Sequence, residues 1–326
     1  MNGIDFESSL SGWFEEFCDL KQAGGADFRA QAFILRRFDR HLSSHHREPA
    51  EVDPTVLGDY LAGQAHLAPR TRANIVTVVW PALEYACRHG APCPPTPLRP
   101  VFPRVPTRTP VILTEEEVER LLLAARQLPQ KGSLHPQTYA TLFGLLAVTG
   151  IRIGEAQKLE IRDLDLQRRQ FLVREGKFKK SRLLPIHEST AIALDRYLEQ
   201  RRRARMPGGG ESPVFVNLRG NPLVYENVRQ IFHRLCRSTG IATGSRHPRI
   251  HDLRHSFAVR RVIAWYRAGI DVNTRLLALS TYLGHVSIDN TLVYLRPNEE
   301  MLDQASRRFE AISAPRFARD GEEVGT

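Results

Sequence analysis

Cysteine is scarce in this chain, with four among 326 residues. Cys18, Cys87, Cys93 and Cys236 show no paired spacing. That argues against a disulfide framework or a zinc ribbon and fits reduced, partly buried thiols. Also missing is any apolar run near the roughly 20 residues needed to span a bilayer. The first twenty residues carry Asp5, Glu7, Glu15, Glu16 and Asp19, so they lack the basic start and apolar stretch of a secretory signal. A cytoplasmic protein with no membrane partner is expected. Acid is the scarcer charge, with 36 Asp and Glu against 46 Lys and Arg, for a net charge of +10. Such an excess favours a polyanionic partner. No basic amphipathic helix with aromatic anchors stands out, which favours nucleic acid over an anionic membrane.

The basic residues are unevenly placed. Arg99, Arg104 and Arg108 have no acid nearby, and Lys177, Lys179, Lys180 and Arg182 crowd one short segment. Arg201, Arg202, Arg203 and Arg205 close a predicted helix. There they either face a polyanion or complement the negative helix C-terminus.

The length suggests two domains. Eight prolines between Pro92 and Pro110 remove backbone donors and fix φ, marking residues 92–110 as an extended, semi-rigid linker. Residues 1–91 before it read as helical. One helix covers Phe28 to His41 with Phe33, Ile34 and Phe38 on an apolar face. A second runs from Pro54 to Gly63, and a third from Pro69 to His89 carries Ile75, Val79, Leu83 and Ala86. In the second domain, residues 111–326, Thr114 and Glu117 form a capping box. A buried helix runs from Tyr139 to Thr149 and stops at Gly150. Between Ile161 and Ile186 the apolar period shortens to that of three short antiparallel strands. Gly176 to Ser181 is the turn between the second and third. Helices resume from Glu188 to Arg205 and again after Pro222. The fold class is therefore mainly α with a small antiparallel β-sheet.

Four short motifs in the second domain carry the chemistry. They are Thr149-Gly150-Ile151-Arg152 with Glu155, Gly176-Lys177, His251-Asp252-Leu253-Arg254-His255, and Leu283-Gly284-His285 with Tyr294 nine residues beyond the histidine. Arginine binds phosphate bidentately and never loses its charge, so Arg152 and Arg254 suit the nonbridging oxygens of a phosphodiester. His251 lies three residues before Arg254 and shares its helix face. His285 adds another donor. Tyr294 is a candidate nucleophile, provided that a cationic pocket built from these arginines and histidines favours its phenolate. A phosphotyrosine ester conserves the energy of the broken bond, so no metal or nucleotide cofactor is needed. Lys177, at the hairpin tip, is the candidate general acid for the leaving 5′-oxygen, with Lys179 as the alternative. Each residue also has a plainer reading. Tyr294, among Leu292, Val293 and Leu295, fits a core position, and Arg152 fits an ion pair with Glu155 one helical turn away.

The motifs occur in one domain and in a consistent order, and there the chain resembles the tyrosine recombinases of the phage-integrase family over nearly its whole length. The resemblance implies that Arg152 and Arg254 clamp the scissile phosphate and that His251 and His285 support it. It further implies that Lys177 protonates the leaving group and Tyr294 attacks. The hairpin departs from the family pattern, because Phe178 follows the lysine where a small residue is usual. The resemblance also implies a helical core-binding domain and a catalytic domain closing as a clamp on double-stranded DNA. Four protomers would assemble on paired inverted sites, and a tail helix over Asn298 to Ile312 would dock on a neighbour or pack in cis.

Three other readings compete. His251 and His255 have the two-histidine spacing of a zinc helix with Asp252 in the acid position, but Arg254 would set a fixed cation against the metal. A type IB topoisomerase shares the phosphotyrosine chemistry. A non-catalytic DNA-binding protein would have no need of Tyr294. Integration or excision of a mobile element is the preferred role.

Overall fold

The computed structural model describes residues 5–45, 54–92, 108–129, 132–174 and 181–285. Lys177, Lys179, Tyr294, the segment 298–312 and most of the proline-rich stretch lie outside them. The chain divides into two compact units, Met1–Arg108 and Thr109–Thr326.

Among its described residues the first unit has four helices: α1 (Ser11–Ala23), α2 (Arg29–Ser44), α3 (Pro54–Gly63) and α4 (Pro69–Arg88). Phe14, Leu35, Phe38, Leu42, Leu57, Val79 and Leu83 build its core. The buried face of α2 consists of Ala32, Leu35, Phe38, Asp39 and Leu42. Phe33 is 59% exposed, contrary to the sequence expectation. Five residues separate it from Phe38, which turns it about 140° away at the helical period. Asp39 is fully buried and accepts the backbone N–H groups of Glu7 and Ser8 at 2.6 and 3.1 Å. It thereby ties the segment preceding α1 to α2.

The second unit opens with α5 (Glu115–Arg126), capped reciprocally by Thr114 and Glu117 as the sequence predicts. The helix α6 (His135–Thr149) starts four residues earlier than expected because His135-Pro136 begins it, proline being well suited to a first turn. The short α7 (Ile153–Gln157) follows. Then come strands β1 (Leu164–Asp165), β2 (Gln170–Val173) and β3 (Arg182–Pro185), antiparallel in the order β1-β2-β3. Phe171 pairs with Leu184 and Val173 with Arg182. Phe171, Val173 and Leu184 are buried while Leu183 is exposed. The two-residue period therefore turns Arg182 to the same inner face as Leu184. Helices α8 (Glu188–Arg203), α9 (Tyr225–Ser238), α10 (Ile250–Arg267) and α11 (Val272–Leu283) complete the described fold. The fold is mainly helical with one small antiparallel sheet.

The basic end of α8 has a structural account. Arg201 is 1% exposed and donates to the carbonyl of Pro213, while Arg202 and Arg203 pair with Glu199. One of the three consecutive arginines is thus a core residue, and the other two are engaged within their own helix.

Candidate active site

The site is built around the C-terminal end of α11. Gly284 follows it in the left-handed region at φ 68° and ψ 45°, a conformation that glycine adopts without penalty. The N–H of His285 then reaches the carbonyl of Ser280 at 2.9 Å, and that of Gly284 reaches Thr281 at 3.0 Å. These are the two bonds of a Schellman motif, and they satisfy two of the four carbonyls that a helix end leaves open.

The next three carbonyls each accept from a different arginine. Nε of Arg182 donates to Tyr282 at 2.9 Å, Nη2 of Arg254 to Leu283 at 2.7 Å, and Nη2 of Arg152 to Gly284 at 2.9 Å. The donors come from β3, α10 and the turn between α6 and α7. Cations at a helix C-terminus are also favoured by its dipole. His285 is fixed one residue beyond this cluster.

Arg152 occupies the N-cap position of α7, where the side chain of Glu155 accepts its backbone N–H at 2.9 Å and its Nη1 at 2.8 Å. The plainer sequence reading, an Arg152–Glu155 pair, therefore holds, and the pair orients the arginine. Gly150, which ends α6 at φ 63°, makes the approach possible. A Cβ there would lie 2.5 Å from a ring carbon of Phe257. Its carbonyl accepts from Nη1 of Arg254 at 2.6 Å.

His251, Arg254 and His255 sit in the first turns of α10, with the two imidazoles 4.8 Å apart and edge to face. Arg254 is 2% exposed, whereas His251 lies open at the mouth of the site. Partial burial, then the charges of Arg254 and Arg152 and the neighbouring imidazoles of His251 and His255, push His285 down to about 3. Loss of solvation on its inner side, then His255, Arg254, Arg152 and Arg249, push His251 down to about 4. Both imidazoles are neutral at pH 7. The sequence expectation of a field from two arginines and two histidines thus changes. The fixed charges are arginines, and the histidines act as neutral hydrogen-bonding groups.

Burial pushes the Glu155 carboxyl up, but the hydrogen bonds from Arg182 and the Arg152 backbone, with both arginine charges, outweigh it and leave it below the usual range. Among the described residues no three His, Cys, Asp or Glu side chains converge as metal ligands would. Four of the six sequence-predicted site residues, Arg152, His251, Arg254 and His285, therefore converge, while Lys177 and Tyr294 fall outside the described residues. Sequence reasoning assigned no part to Arg182, although a cation at an inward register position of β3 was a usable signal.

The phage integrase family matches residues 112–301, a span that includes all four motifs. The chain belongs to that family; it is a tyrosine recombinase. It is 39% identical to the y4rB integrase/recombinase of Sinorhizobium fredii over 67% of this chain and 70% of that protein. It is 34% identical to y4rE of the same organism over 90% and 94%. The fold matches a crystal structure of the XerH site-specific recombinase bound to a palindromic difH substrate in a post-cleavage complex. There the TM-score is 0.64 at 21% identity, over 93% of this chain and 85% of that one. The chain is accordingly a DNA strand-transferring enzyme of site-specific recombination.

Proposed function

We propose that this recombinase cleaves and rejoins double-stranded DNA through a 3′-phosphotyrosine intermediate formed on Tyr294. Arg152 and Arg254 bind the nonbridging oxygens of the scissile phosphodiester and stabilise the charge that grows on them in the transition state. Neutral His251 and His285 contribute hydrogen bonds without competing for the phosphate as extra cations. The Tyr294 oxygen, its proton released to solvent as the phenolate forms beside the arginines, bonds to phosphorus as the bond to the 5′-oxygen breaks, and Lys177 supplies the proton that the departing oxygen takes up. Attack by a 5′-hydroxyl of a partner strand on the phosphotyrosine reverses the step and frees the tyrosine.

The observation that carries this reading is the bonding of Arg254 and Arg152 to the adjacent carbonyls of Leu283 and Gly284. It brings both arginines to the start of the segment that leads, within nine residues of His285, to Tyr294. We further propose assembly as a tetramer on paired inverted sites, in a bacterial cytoplasm and in association with the nucleoid, and service to a mobile element. The palindromic substrate of the XerH complex is consistent with inverted sites in that protein.

Covalent capture tests the proposal. The protein is incubated with the DNA that flanks its gene and denatured in detergent, and whatever DNA remains attached is sequenced. Adducts clustered at paired inverted sequences are expected. Adducts scattered without sequence preference would instead indicate topoisomerase-like relaxation, and intact binding with no adduct would indicate a non-catalytic binder.

A further inference from the structure

Arg182 has no task in the chemistry above, yet its side chain makes three hydrogen bonds at the site. Its Nη1 and Nη2 donate to the two carboxylate oxygens of Glu155 at 3.0 and 2.9 Å, while Nε donates to the carbonyl of Tyr282. The side chain is 13% exposed and that of Glu155 7%, against 26% for Arg152. The Arg182–Glu155 pair thus lies beneath the site, and Arg152 lies nearer its mouth. The backbone of Gly284 runs directly against the guanidinium, since a Cβ there would come within 2.7 Å of Nη1.

The connections form a chain. Glu155 holds Arg152 by its backbone N–H and its Nη1. Arg182 holds Glu155 by both oxygens and, through Tyr282, fixes the helix end from which His285 projects. A bidentate fork locks angle as well as distance, which a lysine or a neutral amide cannot reproduce. Packing alone would require neither the charge nor the fork.

We propose that Arg182 is a positioning residue for strand transfer, locking Glu155 to the end of α11 so that Arg152 and His285 address the same phosphate. This rests on the reading of the site as a phosphodiester clamp. Arg182 itself does not touch the substrate. Its contribution is the relative placement of two groups that do, and an error of about 1 Å in such placement costs up to about a hundredfold in rate.

The test uses the full chain as wild type, Arg182→Lys and Arg182→Gln, on a nicked duplex carrying whichever sequence the wild type captures covalently. Single-turnover adduct formation, duplex affinity and the pH profile of cleavage are measured at a temperature where each protein is folded. In Arg182→Gln, adduct formation should fall about tenfold to a hundredfold while affinity stays within about twofold. The acid limb of its profile should move to higher pH, because the buried Glu155 loses two charge-assisted bonds and takes up a proton more readily. Arg182→Lys should fall between, keeping the charge but not the three-point span, and it carries the test if the glutamine variant does not fold. Cleavage within twofold of wild type would overturn the proposal. So would binding and cleavage declining together with an unchanged pH profile, which would mark a purely structural role. A wild type that binds duplex DNA but captures none would defeat the clamp reading itself, and this proposal with it, in an arm separate from the variants.

Discussion

Nη1 of Arg254 donates to the carbonyl oxygen of Gly150 at 2.6 Å, across 104 residues of sequence. With its second bond to Leu283, this buried arginine joins the end of α6 to the end of α11. In the proposed mechanism this side chain, which already ties together the second unit, would also bind the phosphate.

Arg254→Ala should slow cleavage by roughly a hundredfold to a thousandfold, a loss of roughly 3–4 kcal/mol in transition-state stabilisation, as for removal of a preorganised donor. Arg254→Lys should retain the fold better but still cleave poorly, because an ammonium cannot reach Gly150, Leu283 and a phosphate together. Single-turnover cleavage rates on a trapped substrate check both variants. Near wild-type rates in either would contradict the clamp.

Gly150→Ala should destabilise the second unit. The left-handed φ penalises any Cβ, and the added carbon would meet Phe257 at 2.5 Å. Together these amount to about 2–4 kcal/mol, or a fall in Tm of roughly 5–15 °C for a domain of this size. Thermal denaturation followed by circular dichroism measures it, and an unchanged Tm would show that this turn is not fixed as described.

Stability should fall as the pH is lowered from about 7 towards 5. His285 is held at about 3 in the folded protein, against an ordinary value of 6.5, and burial holds His255 down as well. Between those limits the unfolded chain binds more protons than the folded one, so acid favours unfolding, and the full stability is present only above about pH 7. His285→Gln should flatten the slope of Tm against pH in this range. A wild-type Tm independent of pH between 7 and 5 would contradict the neutral histidines.

DNA affinity should drop steeply with salt, as expected when arginines and lysines displace condensed counterions from several phosphates. Titration of a fluorescent duplex at a series of salt concentrations gives the slope of log K against log salt. A flat response would exclude an extended backbone interface.

Much of this arrangement was legible in the sequence, for identifiable reasons. Period and punctuation revealed α3, α4, α5 and the three strands, because Pro54, Pro69, Thr114 and the alternation of Phe171 and Val173 act locally. Of the four site residues, His251 and Arg254 were legible because histidine and arginine at a spacing of three share a helix face whatever surrounds them, and Arg152 and His285 because they stand in short glycine motifs in a consistent order. Phe33 was misplaced because two aromatics five residues apart look like a face until the 100° step is counted. Arg201 was read with its charged neighbours because nothing local marks burial, which is decided by Pro213 beyond the helix. The three arginines on successive carbonyls were invisible for the same reason. They come from positions 152, 182 and 254, and only the fold brings them to the end of α11. The neutrality of His285 likewise follows from burial first and then from cations distant in sequence.

In the proposed mechanism Tyr294 carries the DNA. The most direct measurement is to digest the covalent complex with protease and nuclease and to locate the modified residue by mass spectrometry, with Tyr294→Phe in parallel. A nucleotide-bearing peptide modified at Tyr294 in the wild type, and no adduct in a variant that still binds DNA, is the predicted result. Attachment at another residue, or an adduct that persists in Tyr294→Phe, would contradict it.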